Sequence, residues 1–355
     1  MQSAAKHLYR NSKRNRKELL AWQRCFAALG MTDLCSYFLC LGTSLLPISL
    51  IPTRAMSLLF TDFASWGAHC AVTGEPLYQP VLDYEIEQKG RTEAEIWTGL
   101  QRAYDVMRDA VHEGLTGDMT SRSGMINNGA KKIAASPVTV LSPEFKQLIT
   151  RALGAKEVNS CMGRVVAAPT AGASGILPGV LVTIQDLHKL SDRQILEGLL
   201  VAAGIALIIE QNASLAGAVG GCQAETGSAA AMGSGAIVYC LGGLVAQVFA
   251  AVAVTIQCML GLVCDPVAGL VEVPCVVRNA SAAAIAFSSA QIAIAGIDPV
   301  IPVDQCVAAL GEVGQAMETR YKETALGGLA NTTRGREIEQ RVLVQDINIL
   351  PDDGE

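Results

Sequence analysis

The chain has 355 residues, 50% of them hydrophobic and 17% charged, with a formal net charge of −6. A mean hydropathy of +0.34 excludes a disordered chain, and the acidic balance argues against a general nucleic-acid binder. Aromatic residues make up only 5% while there are 34 glycines, so the apolar mass comes from small residues and implies close backbone packing.

The charge is unevenly spread. Residues 1–55 carry eight Lys/Arg against two Asp/Glu, a net of +6, and the remainder nets −12. A basic stretch from Lys6 to Arg24 leads into LCSYFLCLGTSLLPISLIPT (34–53), which has no charge. Twenty such residues are long enough to span a bilayer, and the basic flank resembles a signal anchor. Pro47 and Pro52 interrupt the run, and ordinary acidic, amphipathic sequence begins at Met56. We read 1–55 as an extension from an over-extended start, with a genuine anchor as the alternative, and 56–355 as the functional unit.

Residues 76–114 read as two helices. Thr92 is a good cap for the second, in which Ile96, Leu100, Tyr104, Met107 and Val111 fall at helical spacing. The segment 115–132 is rich in Gly, Ser, Thr and Asn and reads as a loop. Beyond residue 133 the chain becomes a series of small-residue helices. Residues 226–264 and 279–297 contain no Asp, Glu, Lys or Arg. Length alone would make them membrane spans. Repeated glycines and the lack of an aromatic belt favour instead the centre of a folded domain, where helices are apolar all round. Strand signals are thin, SPVTVL (136–141) being the best, so an all-α fold is expected.

There are eleven cysteines and no CxxC pair, which excludes a zinc ribbon, a thioredoxin-like dithiol and a ferredoxin run. The default is a reduced, cytoplasmic protein with buried thiols. Cys222, Cys264 and Cys275 differ from the rest because each sits beside a helix-breaking Gly or Pro. Cys240 and Cys258 lie inside apolar helix and read as packing residues. Three thiolates at helix ends suit a [4Fe–4S] cluster with one iron left open, a Lewis acid for a hydroxyl leaving group. Three turn cysteines without a metal are the other reading of the same residues.

The ordered set SRSG followed by NGAKK (121–132), AAPTAGASGILPGVL (167–181), NASLAGAVGGCQAETG (212–227), CDPVAGLVEVPCVVRNA (264–280) and ETALGGLANT (323–332) resembles the α chain of the iron–sulfur L-serine dehydratases. The resemblance implies an all-helical, rather than pyridoxal-phosphate, lyase in which Cys222, Cys264 and Cys275 hold a [4Fe–4S] cluster. The substrate would be L-serine, the products pyruvate and ammonia, and the setting cytoplasmic amino-acid catabolism and gluconeogenesis. Threonine dehydration or cysteine desulfidation are the neighbouring activities, and from other classes a helical membrane protein or a cluster-free scaffold remain. The Ser-rich segment and terminal cysteine of the single-chain members are missing, which implies a separate β chain; the reading leaves room for a homo-oligomer. Thr170, Ser174, Asn127 and Asn128 are candidate substrate contacts, with turn formation as their other role. Glu225 and Asp265, beside cluster cysteines, call for a cationic partner, Arg278 or Arg164. No general base is assigned.

Overall fold

The computed structural model describes residues 60–347. The extension 1–55, including the apolar run 34–53, lies outside those residues. Thirteen α-helices and no strand make up the described chain, an all-α fold as expected. They are α1 (Phe63–Thr73), α2 (Tyr78–Lys89), α3 (Glu93–Thr116), α4 (Gly129–Ala135), α5 (Pro143–Ser160), α6 (Ile176–His188), α7 (Asp192–Asn212), α8 (Gly217–Gly220), α9 (Ser228–Cys240), α10 (Val245–Met259), α11 (Cys275–Ile294), α12 (Val303–Ala316) and α13 (Thr333–Ile347).

Helix α9 is the axle. It is buried on nearly every side and packs against α6, α7, α10 and α11. Ala229, Ala230, Ala231, Gly233, Gly235 and Ala236 line it, and a side chain at Gly235 would run into Ile205 Cδ1 on α7. The charge-free segment 226–264 is therefore two core helices, of 13 and 15 residues, and 279–297 belongs mostly to α11. Among the described residues one helix, α7, is long and apolar enough to cross a membrane, and 61% of its apolar window is buried in the fold.

The local signals account for the outer helices. Thr92 caps α3 with a complete capping box, its side chain accepting from Glu95 N and Glu95 reaching back. Ile96, Tyr104, Met107 and Val111 are buried and Leu100 half-buried on that one stripe. Asp62 caps α1 in the same way, and Asp304 of α12 adds bonds to Phe63 N (2.8 Å) and Ala64 N (3.0 Å). Phe60 stacks on Trp66 at 4.9 Å, and Phe249 meets Phe63 edge-on at 5.1 Å, closing the core beside α1. Helices α3 and α5 cross backbone against backbone at Gly114 and Gly154; a Cβ at Gly114 would stand 2.3 Å from Gly154 C, while one at Gly154 would meet its neighbours at 3.2–3.3 Å. The segment 136–141 is a surface connection rather than a strand, with Val138 and Val140 exposed.

Candidate functional site

Three loops at one end of the core helices bring Cys222, Cys264 and Cys275 together. Cys222 follows Gly221, whose φ of 76° is one that L side chains rarely adopt. It opens a five-residue π-turn, Gln223–Gly227, leading into α9; such turns recur at functional sites. Gln223 anchors the turn, donating to Leu310 O (3.0 Å) and accepting from Gly261 N (2.8 Å). Cys264 lies in the α10–α11 connection. Its N–H donates to Tyr321 O and its carbonyl accepts from Glu323 N, both at 2.8 Å. Cys275 is the first residue of α11, after Pro274.

All three thiols are free and buried. They lie close enough for their charges to interact: those of Cys222 and Cys275 both push Cys264 up. Burial is the main cause of the rise at each sulfur, to about 12 at Cys275. At Cys222 burial and Glu225 raise the thiol, while a 2.9 Å contact with Thr226 Oγ1 and the Arg278 guanidinium oppose them.

Buried charge surrounds the trio. Lys156 of α5 is wholly buried and donates to Asn159 Oδ1 and to Val271 O (3.0 Å). Burial lowers its pKa against the charges of Cys275, Glu225 and Glu272. Glu225, in the π-turn, takes a hydrogen bond from Thr170 Oγ1; burial raises its carboxyl against that bond and Lys156. Asp265 pairs with Arg278 at 2.9 Å and accepts from Leu329 N at 2.7 Å. Arg278 is thus the partner of Asp265, while Arg164 pairs with Asp109 on the surface.

Thr170 and Ser174 lie on the turn before α6. Asn279 of α11 fixes that turn, accepting from Gly175 N (2.9 Å) and donating to Gly172 O (2.8 Å). Ser174 is fully buried and its hydroxyl has no hydrogen-bond partner among the described residues. Asn128 is engaged within the 115–132 loop, bonding Met119 N (3.0 Å) and Asp118 (2.9 Å), and Asn127 is exposed. In the same loop, Ser121 and Ser123 both donate to Glu272, three residues before Cys275. Cys240 is buried as expected, but Cys258 is exposed: it shares the outer face of α10 with Gln257 and is no packing residue.

Sequence reasoning passed over Lys156, Glu272 and Asn279. Lys156 and Asn279 are single polar residues on helices, which read as ordinary surface, and Glu272 is a lone acid between two valines in a connection.

The donor set suits a cluster better than a lone ion. Among the described residues no three His, Cys, Asp or Glu side chains are grouped so as to hold a single metal ion. Three free, buried thiols, with Lys156 and Arg278 to offset their charge, have the chemistry an iron–sulfur cluster would need. A pocket of about 470 Å³ lined by Leu190, Gln194, Glu197, Tyr239 and Cys240 opens elsewhere and touches none of the three cysteines.

Fold and site together define an all-helical protein with three free cysteines gathered where its core helices end. The family model described as the serine dehydratase alpha chain matches residues 73–330. The L-serine dehydratase, alpha chain, of Peptoniphilus asaccharolyticus is 42% identical over 277 residues, 77% of this chain and 95% of that one. The probable L-serine dehydratase, alpha chain, of Bacillus subtilis (strain 168) is 41% identical over 265 residues, 74% of this chain and 88% of that one. L-serine dehydratase TdcG of Escherichia coli (strain K12) is 35% identical over 250 residues, 68% of this chain but 55% of that one. The chain belongs to the serine dehydratase alpha-chain family, and is an enzyme of the ammonia-lyase class.

Proposed function

We propose that this chain is the α subunit of an L-serine dehydratase that eliminates water from L-serine to give pyruvate and ammonia, with Cys222, Cys264 and Cys275 holding a [4Fe–4S] cluster. The catalytic unit would span 56–355, with 1–55 outside it. The observation that carries the reading is the gathering of three free, buried cysteines from three separate loops between two buried cations. When bound, such a cluster supplies an iron without a protein thiolate, a Lewis acid for the substrate's hydroxyl and carboxylate.

The chain's own residues do the rest. Burial of the cysteines keeps bulk water from the centre. Lys156 and Arg278 offset the charge that three thiolates bring into a low-dielectric space. Thr170 fixes the Glu225 carboxylate, and Asn279 fixes the turn carrying Thr170 and Ser174. We assign Thr170 and Ser174 to the polar groups of the substrate, with Asn127 and Asn128 on the neighbouring loop. The general base that takes the Cα proton we place on a separate β chain. The product aminoacrylate hydrolyses to pyruvate and ammonia without further catalysis. Free thiols, eight among the described residues, suit a reducing cytoplasm.

The test is anaerobic. Residues 56–355, reconstituted with iron and sulfide, are expected to hold about four irons per chain and to absorb broadly near about 400 nm. Cys222→Ala, Cys264→Ala and Cys275→Ala should each lose both signals, and Cys240→Ala should keep them. With a β chain added, L-serine should yield pyruvate and ammonia; 2-oxobutyrate from threonine or sulfide from cysteine as the preferred product would reassign the substrate. A well-folded chain with no iron would refute the reading.

A further inference from the structure

Arg278 sits one helical turn after Cys275 on α11, so its side chain leaves from the same face of the helix. Its Nη1 donates to Val263 O at 2.8 Å and its Nη2 pairs with Asp265 Oδ1 at 2.9 Å. Those two acceptors stand on either side of Cys264. The charge of the same guanidinium also acts on the Cys222 thiol, on a third segment, lowering it against burial. It is mostly buried, its side chain 17% exposed against 3% for Asp265. One planar group therefore reaches all three cysteine segments, and adds a charged link to the backbone bonds that tie them pairwise, Gln223 N to Leu262 O at 2.9 Å and Val267 N to Val273 O at 2.8 Å. The Asp265 carboxylate is also held from its far side by Leu329 N at 2.7 Å, so the clamp is braced by the 323–332 loop.

We infer that Arg278 is a positioning residue that sets the three cysteines in register for the cluster, through a hydrogen bond to Val263 O and an ion pair with Asp265 that together straddle Cys264. The inference rests on the cluster reading but makes a claim that stands apart from it, because the bonds are made within the chain itself. A lysine would keep the charge yet offer no planar fork; a single ammonium cannot serve acceptors on both sides of Cys264. The charge alone is thus not the device.

The experiment compares wild type with Arg278→Lys, Arg278→Gln and Asp265→Asn, with far-UV circular dichroism and melting as the check on folding. The first readout is on the cluster-free full chain: the rate of alkylation at each of Cys222, Cys264 and Cys275, followed by mass spectrometry with Cys240 as internal control. Cys264 is expected to react faster in all three variants, with Cys240 unchanged. The second is the rate at which a chelator strips iron from the reconstituted chain, expected to rise roughly 10–100-fold for Arg278→Lys and Arg278→Gln, the usual cost of losing a residue that orients metal ligands. Asp265→Asn, which removes the ion pair and leaves Val263 bonded, should fall between them and wild type. Wild-type behaviour of Arg278→Lys in both readouts would overturn the inference in favour of simple charge. Unchanged alkylation at Cys264 in folded Arg278→Gln and Asp265→Asn would overturn it outright. If wild type bound no iron, the cluster reading would fail and the alkylation pattern would still decide the role of Arg278.

Discussion

Helix α9 and the loops at its cysteine end are joined by a five-residue π-turn, yet they obey opposite rules. Along α9, burial is achieved with Ala and Gly, and the neighbouring helices approach closely because nothing protrudes. At its cysteine end, the buried groups are Cys222, Glu225, Thr170, Asp265 and Lys156, each polar or ionisable. The first region is stabilised by shape, so its residues are exchangeable only for others of the same size. The second is held by directed bonds between charged groups, whose burial is unfavourable unless every partner is in place. A fold that keeps both side by side lets the rigid apolar half hold the charged half still.

The sharpest way to break this contrast is Gly235→Val. Ile205 already stands against the position, and Val252 Cγ2 lies 3.3 Å from where a Cβ would stand, so overpacking should cost on the order of 3 kcal/mol. Thermal melting should show a large fall or no cooperative transition. Thr170→Val, nearly isosteric, should cost about 2 kcal/mol by leaving the buried Glu225 carboxylate without its hydroxyl donor. It should also slow turnover, where Gly235→Val acts only through folding.

Asp62→Ala probes the rim, far from both regions. The cap is worth about 1 kcal/mol at neutral pH. Hydrogen bonds from Ser65 hold the Asp62 carboxyl below its ordinary value of 3.8, so the contribution is present above that value and is lost as pH falls through the lower folded value. Urea midpoints of wild type and variant should differ at pH 7 and converge once the pH has fallen through the lowered folded value. The smallest effect, with the opposite sign, belongs to Ser174→Ala. Its hydroxyl is buried without a partner among the described residues, so removal should leave the cluster-free chain unchanged or more stable by up to about 1 kcal/mol, while raising KM for the substrate.

The helices were legible because their signals are local. Thr92 and Glu95 announce a capping box three residues apart, and the stripe from Ile96 to Val111 repeats at helical spacing. Helix α9 was readable as core from its lack of charge, and the three cysteines stood out through their Gly and Pro neighbours. Lys156 was not legible. It stands near the end of an otherwise ordinary helix, and its acceptor Val271 lies 115 residues away. Glu157, beside it, is likewise buried, accepting from Gly129 N (2.6 Å) and Ala130 N (3.0 Å) at the start of α4. Two adjacent charges on a helix signal solvent unless the tertiary partners are known. Cys258 failed in the other direction: the apolar run hid the fact that α10 keeps an outer face, which Gln257 next to it marks. For Asp265, chemistry demanded a cation and left two arginines to choose between; only the packing of α11 selects Arg278.

The crossing of α3 and α5 at Gly114 and Gly154 has a bearing on inheritance. Gly154 stands two residues before Lys156 on the same helix, and Lys156 holds the Val271 carbonyl of the segment leading to Cys275. A mutation to any larger residue at position 114 would pry the two helices apart and drag that lysine with them. Such an allele would be scored as a defect of the reactive centre, though the altered residue never touches it. Drift at Gly114 is therefore limited by the geometry of the cysteine site as well as by the packing of the two helices, and a lineage that lost this glycine would have to reset the position of Lys156.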